Sequence, residues 1–337
     1  MEKHLRSNNL EKSRSQMQWC YTHTVFTGRP PFSNDHKHYT PHPTNTNIMN
    51  IFTTTKFKFD GLEYETNWKD YVYTRSSFYA ARAVRQLGPV PAHIAFCMDG
   101  NRRYAKKEQL ELGNGHVAGF ESMLRILVAC YQLGIQTVSV YAFSIENFNR
   151  APEESEALFD LVRTRLWDMV ADKNSQISQL DWKIEFPGRR ALLDRSVLDR
   201  ITDIEEKTRH CCGMTVNICA PYTTRDDLAT ALQAAAQSRE PTSMAAFEQK
   251  RYLAAAPKLD ILVRTSGETR LSDFMVWEAD SRCTFEFIPQ LWPEFTVWEL
   301  LLIVIKWQLR KHRKNSGSSI MSLGAAPPRA SVTKRQK

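Results

Sequence analysis

Short apolar runs alternate with longer amphipathic segments over most of this chain, and few architectures accept that alternation. The runs are Ile94–Met98, Thr137–Phe143, Trp182–Phe186, Thr215–Ala220, Leu259–Val263 and Cys283–Ile288. The second is nearly all apolar, as strands covered on both faces are. Between them lie segments with helical spacing. His116 to Leu133 repeats Phe120, Leu124, Leu127, Val128 and Tyr131 and stops at Gly134. The segment 152–172 opens on Pro152 with Glu153, Glu154 and Glu156 at the positive helix end. Further helices are expected over 190–209, Thr224–Gln237 and Thr296–Arg310, with a short one between the last two strands. The pattern predicts an α/β fold: a single domain with a central, mostly parallel six-stranded sheet flanked by helices.

In such a sheet the loops leaving the strand ends share one edge, and ligands bind there. The first strand empties into Met98-Asp99-Gly100-Asn101-Arg102-Arg103-Tyr104-Ala105-Lys106-Lys107. Asp99 suits a hard cation, Gly100 allows backbone to approach an anion, and Arg102 and Arg103 can fork onto phosphate oxygens. This stretch alone is equally compatible with a solvated charged loop. Two other strand ends carry Ser144-Ile145-Glu146-Asn147-Phe148-Asn149-Arg150 and Arg264-Thr265-Ser266-Gly267-Glu268-Thr269-Arg270-Leu271-Ser272. On a shared edge Arg102, Arg103, Arg150, Arg264 and Arg270 would converge with Asn101, Asn147 and Ser272. That much positive charge calls for an anionic ligand and is enough for two diphosphates. The neighbouring helices carry apolar stripes, among them Phe120, Leu124, Leu158, Val162 and Trp167. Core packing is the plain reading of these stripes. A diphosphate mouth opening onto an apolar cleft would also suit a substrate with a hydrocarbon tail.

Composition removes several classes. The net charge is +8, but nine Lys or Arg and no acid lie from Lys306 to the end, so the remainder sums to −1. Basic character confined to a tail argues against a nucleic-acid-binding body. The 7 cysteines form no C-x-x-C pair, which speaks for free thiols and against a disulfide frame or zinc site. The longest apolar run, Leu300 to Ile305, is far short of a membrane span. There is no phosphate-binding G-x-x-x-x-G-K-[ST], no G-x-G-x-x-G and no G-x-S-x-G. Residues 1–60 read as a disordered low-complexity extension and 61–87 as an N-terminal helical segment. Residues 88–312 read as the single α/β domain and 313–337 as a basic disordered tail. The helical segment's apolar side, beside Arg75, Arg82 and Arg85, suits either packing on the body or an anionic membrane surface.

The blocks HIAFCMDGNRRYAKK, GHVAGF, VYAFSIENFNR, LVRTSGETRLSDFMVW and LWPEF, in this order, resemble the cis-prenyltransferases. Within that family the chain is most similar to the eukaryotic dehydrodolichyl diphosphate synthase subunits. The resemblance implies a Mg²⁺-dependent enzyme that adds isopentenyl diphosphate units to farnesyl diphosphate with cis geometry. It implies a product that grows into an apolar tunnel between the helices. Asp99 would bind Mg²⁺ and assist diphosphate departure. Gly100, Asn101, Arg102, Arg103, Tyr104, His116, Ser144 and Arg150 would hold the allylic diphosphate. Arg264, Arg270 and Ser272 would hold isopentenyl diphosphate. Asn147 and Ser144 would stand near the reacting carbons and the proton removed, and Asp99, Asn101 and Asn147 would be the catalytic residues.

Some positions depart from the single-subunit members. Arg102 replaces a glycine, Leu112 an arginine and Cys283 a metal-binding glutamate, which leaves Asp99 as the expected sole protein ligand. The Arg-x-Gly segment that ends single-subunit members is missing, because Arg313 and Gly317 have the wrong spacing. The resemblance therefore implies a homologous, catalytically silent partner of the Nogo-B-receptor type, and peripheral placement on the cytosolic face of the endoplasmic reticulum membrane. The competing reading is a non-catalytic lipid-binding or scaffold subunit, against which the intact Asp99-Gly100-Asn101 argues. Asp99→Ala is expected to leave the fold intact, since Asp99 belongs to a loop.

Overall fold

A computed structural model describes residues 55–59, 62–66, 68–173, 175–238 and 243–322. It opens with an antiparallel ribbon, β1 (Thr55–Phe59) and β2 (Leu62–Thr66), and a long helix, α1 (Trp68–Leu87). Then come β3 (His93–Cys97), α2 (Asn101–Lys107), α3 (Leu112–Leu133) and β4 (Thr137–Tyr141). The next stretch holds α4 (Pro152–Leu161), α5 (Trp167–Ala171), the short α6 (Gln176–Gln179) and β5 (Lys183–Glu185). The chain continues through α7 (Arg195–Thr208), β6 (Thr215–Cys219), α8 (Thr224–Gln237) and α9 (Met244–Glu248). It finishes with β7 (Ile261–Arg264), β8 (Thr284–Phe287) and α10 (Val297–Ser322).

Strands β3 to β8 form one six-stranded sheet in the order β5-β6-β4-β3-β7-β8, and every pair is parallel. From β3 the chain fills one half of the sheet and then crosses to place β7 on the other side of β3. The order therefore reverses between β3 and β7, the kind of point where open α/β sheets bind ligands. Alternation along β3 feeds two cores. Ile94 and Phe96 enter the larger one with Val138, Val140, Leu124 and Leu127, while Ala95 and Cys97 face Tyr222, Leu262 and Phe274. The Trp292 and Phe295 rings lie 5.8 and 6.2 Å from the ring of Phe96, which ties the approach to α10 onto the central strand.

Several expectations need correction. Asn101–Lys107, read as loop, is a helix. The helix expected over 152–172 is interrupted by a π turn at Val162–Leu166. That expected over 190–209 begins only at Arg195, where Asp194 accepts from the Val197 N–H at 3.0 Å. No helix joins β7 to β8. Ser266, Gly267, Ser272, Asp273 and Met275 have positive φ, and the Ser266 and Gly267 N–H groups bond outward to Gln290 O and Ile288 O at 2.6 and 2.8 Å. The positive φ values take this stretch out of right-handed helical geometry. The tail boundary at 313 falls inside α10, which runs to Ser322 because no proline interrupts it. The extension assigned to residues 1–60 lies outside the described residues except for β1, and the tail likewise beyond 322.

Candidate active site

Asp99 leaves β3 at the point of reversal, and its backbone is fastened first. Thr265 Oγ1, at the end of β7, accepts from the Asp99 N–H at 3.1 Å and donates to the Asp99 carbonyl at 2.8 Å. The Trp292 N–H donates to the same carbonyl at 3.0 Å. Gly100 then takes φ 111°, where a side chain is strained, and any Cβ would stand 3.0 Å from Leu291. This turn starts α2. Asn101 and Ala105 of α2 lie so close to α3 that a Cβ on Gly115 would come within 2.5 Å of the Asn101 carbonyl oxygen and 2.8 Å of the Ala105 Cβ. A Cβ on Gly119 would overlap the Asn101 amide oxygen. The spacing Gly115-x-x-x-Gly119 thus lets two helices meet at the site.

The predicted residues divide into two clusters. In the first, Arg264 is 3% exposed and donates from Nη2 to Asp99 Oδ2 at 2.9 Å. Its Nη1 donates to Ser272 Oγ at 2.8 Å and to the Arg270 carbonyl at 2.6 Å. Arg103 Nη2 donates to Asp99 Oδ1 at 3.3 Å, while its Nη1 lies 3.6 Å from Glu268. Glu268 also pairs with the exposed Arg270. Asp99 is therefore held between two guanidiniums, with Ser272 locked behind it. The Cys97 thiol below is pushed up to about 12, chiefly by burial, and stays protonated.

The second cluster centres on Glu154. Arg150 Nη1 donates to its Oε1 at 2.6 Å, and Arg102 Nε lies 3.6 Å from the same oxygen. His116, 6% exposed, has no hydrogen-bond partner among the described residues on either ring nitrogen. Burial pulls its ring below the usual histidine range, with Glu154 opposing and Arg150 and Arg102 assisting. Tyr104 is half-buried on α2. Ser144 and Asn147 bind each other: the Ser144 N–H donates to Asn147 Oδ1 at 3.0 Å, and Ser144 Oγ accepts from the Glu146 N–H at 3.2 Å. This reciprocal cap sets the turn after β4. Neither side chain bonds to Asp99.

Three participants escaped the sequence reading. Thr265 and Glu268 lie within LVRTSGETRLSDFMVW, where residue type alone signals no role. Glu154 was read only as a helix-end acid, although its position four residues after Arg150 signals an ion pair once the segment is helical. Cys283 stands apart from both clusters. It precedes Thr284, which pairs with Ile261 at the start of β7, so it lies at the opposite sheet edge from Asp99 and shares no site with it.

Among the described residues no group of three or more His, Cys, Asp or Glu could hold a metal. One carboxylate still fits Mg²⁺, which keeps several waters and binds through one or two carboxylates plus substrate phosphates. Asp99 is the group that fits. A groove of about 780 Å³ lies elsewhere, beside β5, lined by Phe186, Arg189, Arg190, Glu205, Gln233 and Tyr252.

Residues 97–315 match the family model described as putative undecaprenyl diphosphate synthase. The chain belongs to the cis-prenyltransferase family. A relative, dehydrodolichyl diphosphate synthase complex subunit SRT1 of Saccharomyces cerevisiae, is 35% identical over 75% of this chain and 76% of its own length. The Homo sapiens dehydrodolichyl diphosphate synthase complex subunit DHDDS is 38% identical over 66% of this chain and 69% of its own. Among solved structures, lavandulyl diphosphate synthase from Lavandula x intermedia in complex with dimethylallyl diphosphate superposes with a TM-score of 0.58 at 27% identity. The match covers 65% of this chain and 95% of that one. As a cis-prenyltransferase the chain is an enzyme, and its homologues support cis-prenyl chain elongation.

Proposed function

We propose that this chain condenses isopentenyl diphosphate units onto farnesyl diphosphate to make a long polyprenyl diphosphate of the dehydrodolichyl type, for dolichol synthesis and protein glycosylation. The observation that carries this is a pair of guanidinium clusters at the strand-end edge of the sheet, each reached by an arginine of α2. Arg103 and Arg264 meet on Asp99, and Arg102 and Arg150 meet on Glu154. Each cluster is held by a carboxylate that a diphosphate can replace as partner.

Gly100, Asn101, Arg102, Arg103, Tyr104, His116, Ser144 and Arg150 would receive the allylic diphosphate. Arg264, Arg270 and Ser272 would receive isopentenyl diphosphate. Asp99 would hold Mg²⁺, which, when bound, offsets the charge that builds on the departing diphosphate. The guanidiniums offer fixed positive charge to the same oxygens. Holding both substrates across α2 supplies proximity. The Ser144 hydroxyl and Asn147 amide are placed by their mutual cap and would take part where the proton leaves. The growing chain would lie between α3 and α4, where Phe120, Leu158 and Val162 are half-buried against the core.

The same reading includes a homologous, catalytically silent partner. It is supported by the edge strand β8, whose Phe285 and Phe287 are each 40% exposed. Relatives named as complex subunits support it further. Placement is peripheral, on the cytosolic face of the endoplasmic reticulum membrane. The test is incorporation of labelled isopentenyl diphosphate onto farnesyl diphosphate, with and without Mg²⁺ and with and without co-expressed partner. Polyprenyl product that requires both Mg²⁺ and partner is expected. No incorporation with both present would overturn the reading, and full-length product from the single chain would overturn the partner.

A further inference from the structure

The outer face of α10 is unaccounted for by the fold or by the site. Its inner face buries Leu300, Leu301, Ile303, Val304 and Trp307. Trp298, Leu302 and Leu309 are instead 42%, 57% and 60% exposed. With half-buried Ile305 they form one stripe at helical spacing. Exposed Lys306 and Arg313 continue that stripe and pair with no acid among the described residues. The two neighbouring cations are committed elsewhere, Arg310 to Glu286 at 2.9 Å and Lys311 to Asp260 at 3.8 Å. Exposed Leu87, at the end of α1, lies beside this stretch, because Gln308 Nε2 donates to the Gly88 carbonyl at 3.3 Å.

We infer that this face of α10 docks the enzyme laterally onto an anionic lipid surface. The charge decides the occupant: from Lys306 to Lys337 the chain carries nine Lys or Arg and no acid. A partly exposed apolar stripe with a Trp at one end and cations at the other is what lies in the plane of a membrane interface. Juxtaposed cations add attraction to anionic headgroups. No helix among the described residues is long and apolar enough to cross a membrane, so the contact is along the helix. This surface adjoins β8 through the Arg310–Glu286 pair, but Phe285 and Phe287, which the preceding reading gives to a protein partner, point to the other face of that strand. The inference deepens the peripheral placement proposed above and rests on it, but not on turnover.

The test is flotation of the purified full chain with phosphatidylcholine vesicles, with and without phosphatidylserine. Wild type should float only with the anionic vesicles, and less as salt rises. The variants Leu302→Ser/Leu309→Ser and Lys306→Gln/Arg313→Gln touch exposed side chains and should retain the wild-type melting temperature. Each should lower partitioning by at least about tenfold. Wild-type binding by either variant, or equal binding to both vesicle types, would overturn the inference. So would an altered oligomeric state in the variants with vesicle binding unchanged, which would make the face a protein interface. Turnover in detergent is scored separately, so loss of vesicle binding and failure of the prenyl-transfer reading are read on different assays.

Discussion

Arg264, buried at the end of β7, donates to Asp99 at the end of β3 across the sheet's point of reversal, at 2.9 Å. This changes what Asp99→Ala should do. The loop position suggested an intact fold, but the substitution leaves a buried guanidinium without its acid. Loss of turnover should therefore come with a stability loss of about 1–3 kcal/mol. Asp99→Asn keeps an acceptor for Arg264 and should recover most of that stability without recovering activity. Urea midpoints of the two variants beside their turnover check this, and equal midpoints for wild type and Asp99→Ala would remove the structural role.

The two arginines assigned to isopentenyl diphosphate should separate. Arg270 has a 62% exposed side chain that pairs only with Glu268 among the described residues. Arg270→Ala should raise the KM for isopentenyl diphosphate about tenfold and spare kcat. Arg264 holds Asp99, Ser272 and the Arg270 carbonyl together. Arg264→Ala should lower kcat as well and reduce the melting temperature. Identical kinetic profiles would show that burial of Arg264 has no separate consequence.

Gly119→Ala places a methyl against the Asn101 amide oxygen. That oxygen belongs to the first residue of α2, which carries Arg102 and Arg103, and is buried without a partner among the described residues. Overpacking should cost about 1–3 kcal/mol and displace α2. Activity should fall more than the fraction unfolded explains. Wild-type kcat/KM in Gly119→Ala would show that α2 tolerates the shift.

The strands were legible because buried parallel strands are almost continuously apolar, and β3, β4 and β7 need no partner information to be recognised. The site edge followed from that parallel order. What the sequence hid was cross-chain support. Helix α2 is only 7 residues long and is fixed by contact with Gly115 and Gly119, a tertiary effect that local propensity does not register. The turns after β7 failed for the same reason, since they are fastened to the segment following β8. Arginine types were readable; their division between Asp99 and Glu154 was not, because it depends on which helix faces which strand end.

The opposite edge of the sheet carries a titration that should be visible in stability. His93, fully buried at the start of β3, lies 2.8 Å from both the Pro257 carbonyl and Ser139 Oγ. The carbonyl can only accept, so Nδ1 carries the proton and Nε2 accepts from the serine, which in turn receives Asn217 Nδ2 at 3.1 Å. That arrangement holds the ring neutral, and burial lowers its pKa from 6.5 to about 4, against smaller opposing effects of the Pro257 carbonyl and Asp260. The folded state thus binds the proton less tightly than the unfolded chain. The stabilising contribution is fully present above pH 6.5 and drains away as pH falls towards 4, amounting to roughly 3 kcal/mol. His93→Gln replaces the ring with a group that does not titrate. It should lower stability at neutral pH, where Pro257 and Ser139 lose well-placed partners, yet flatten the further loss between neutral and acid. Urea unfolding of both proteins at pH 7 and near pH 4 measures the difference of slopes; parallel losses would show that His93 is not the group being protonated.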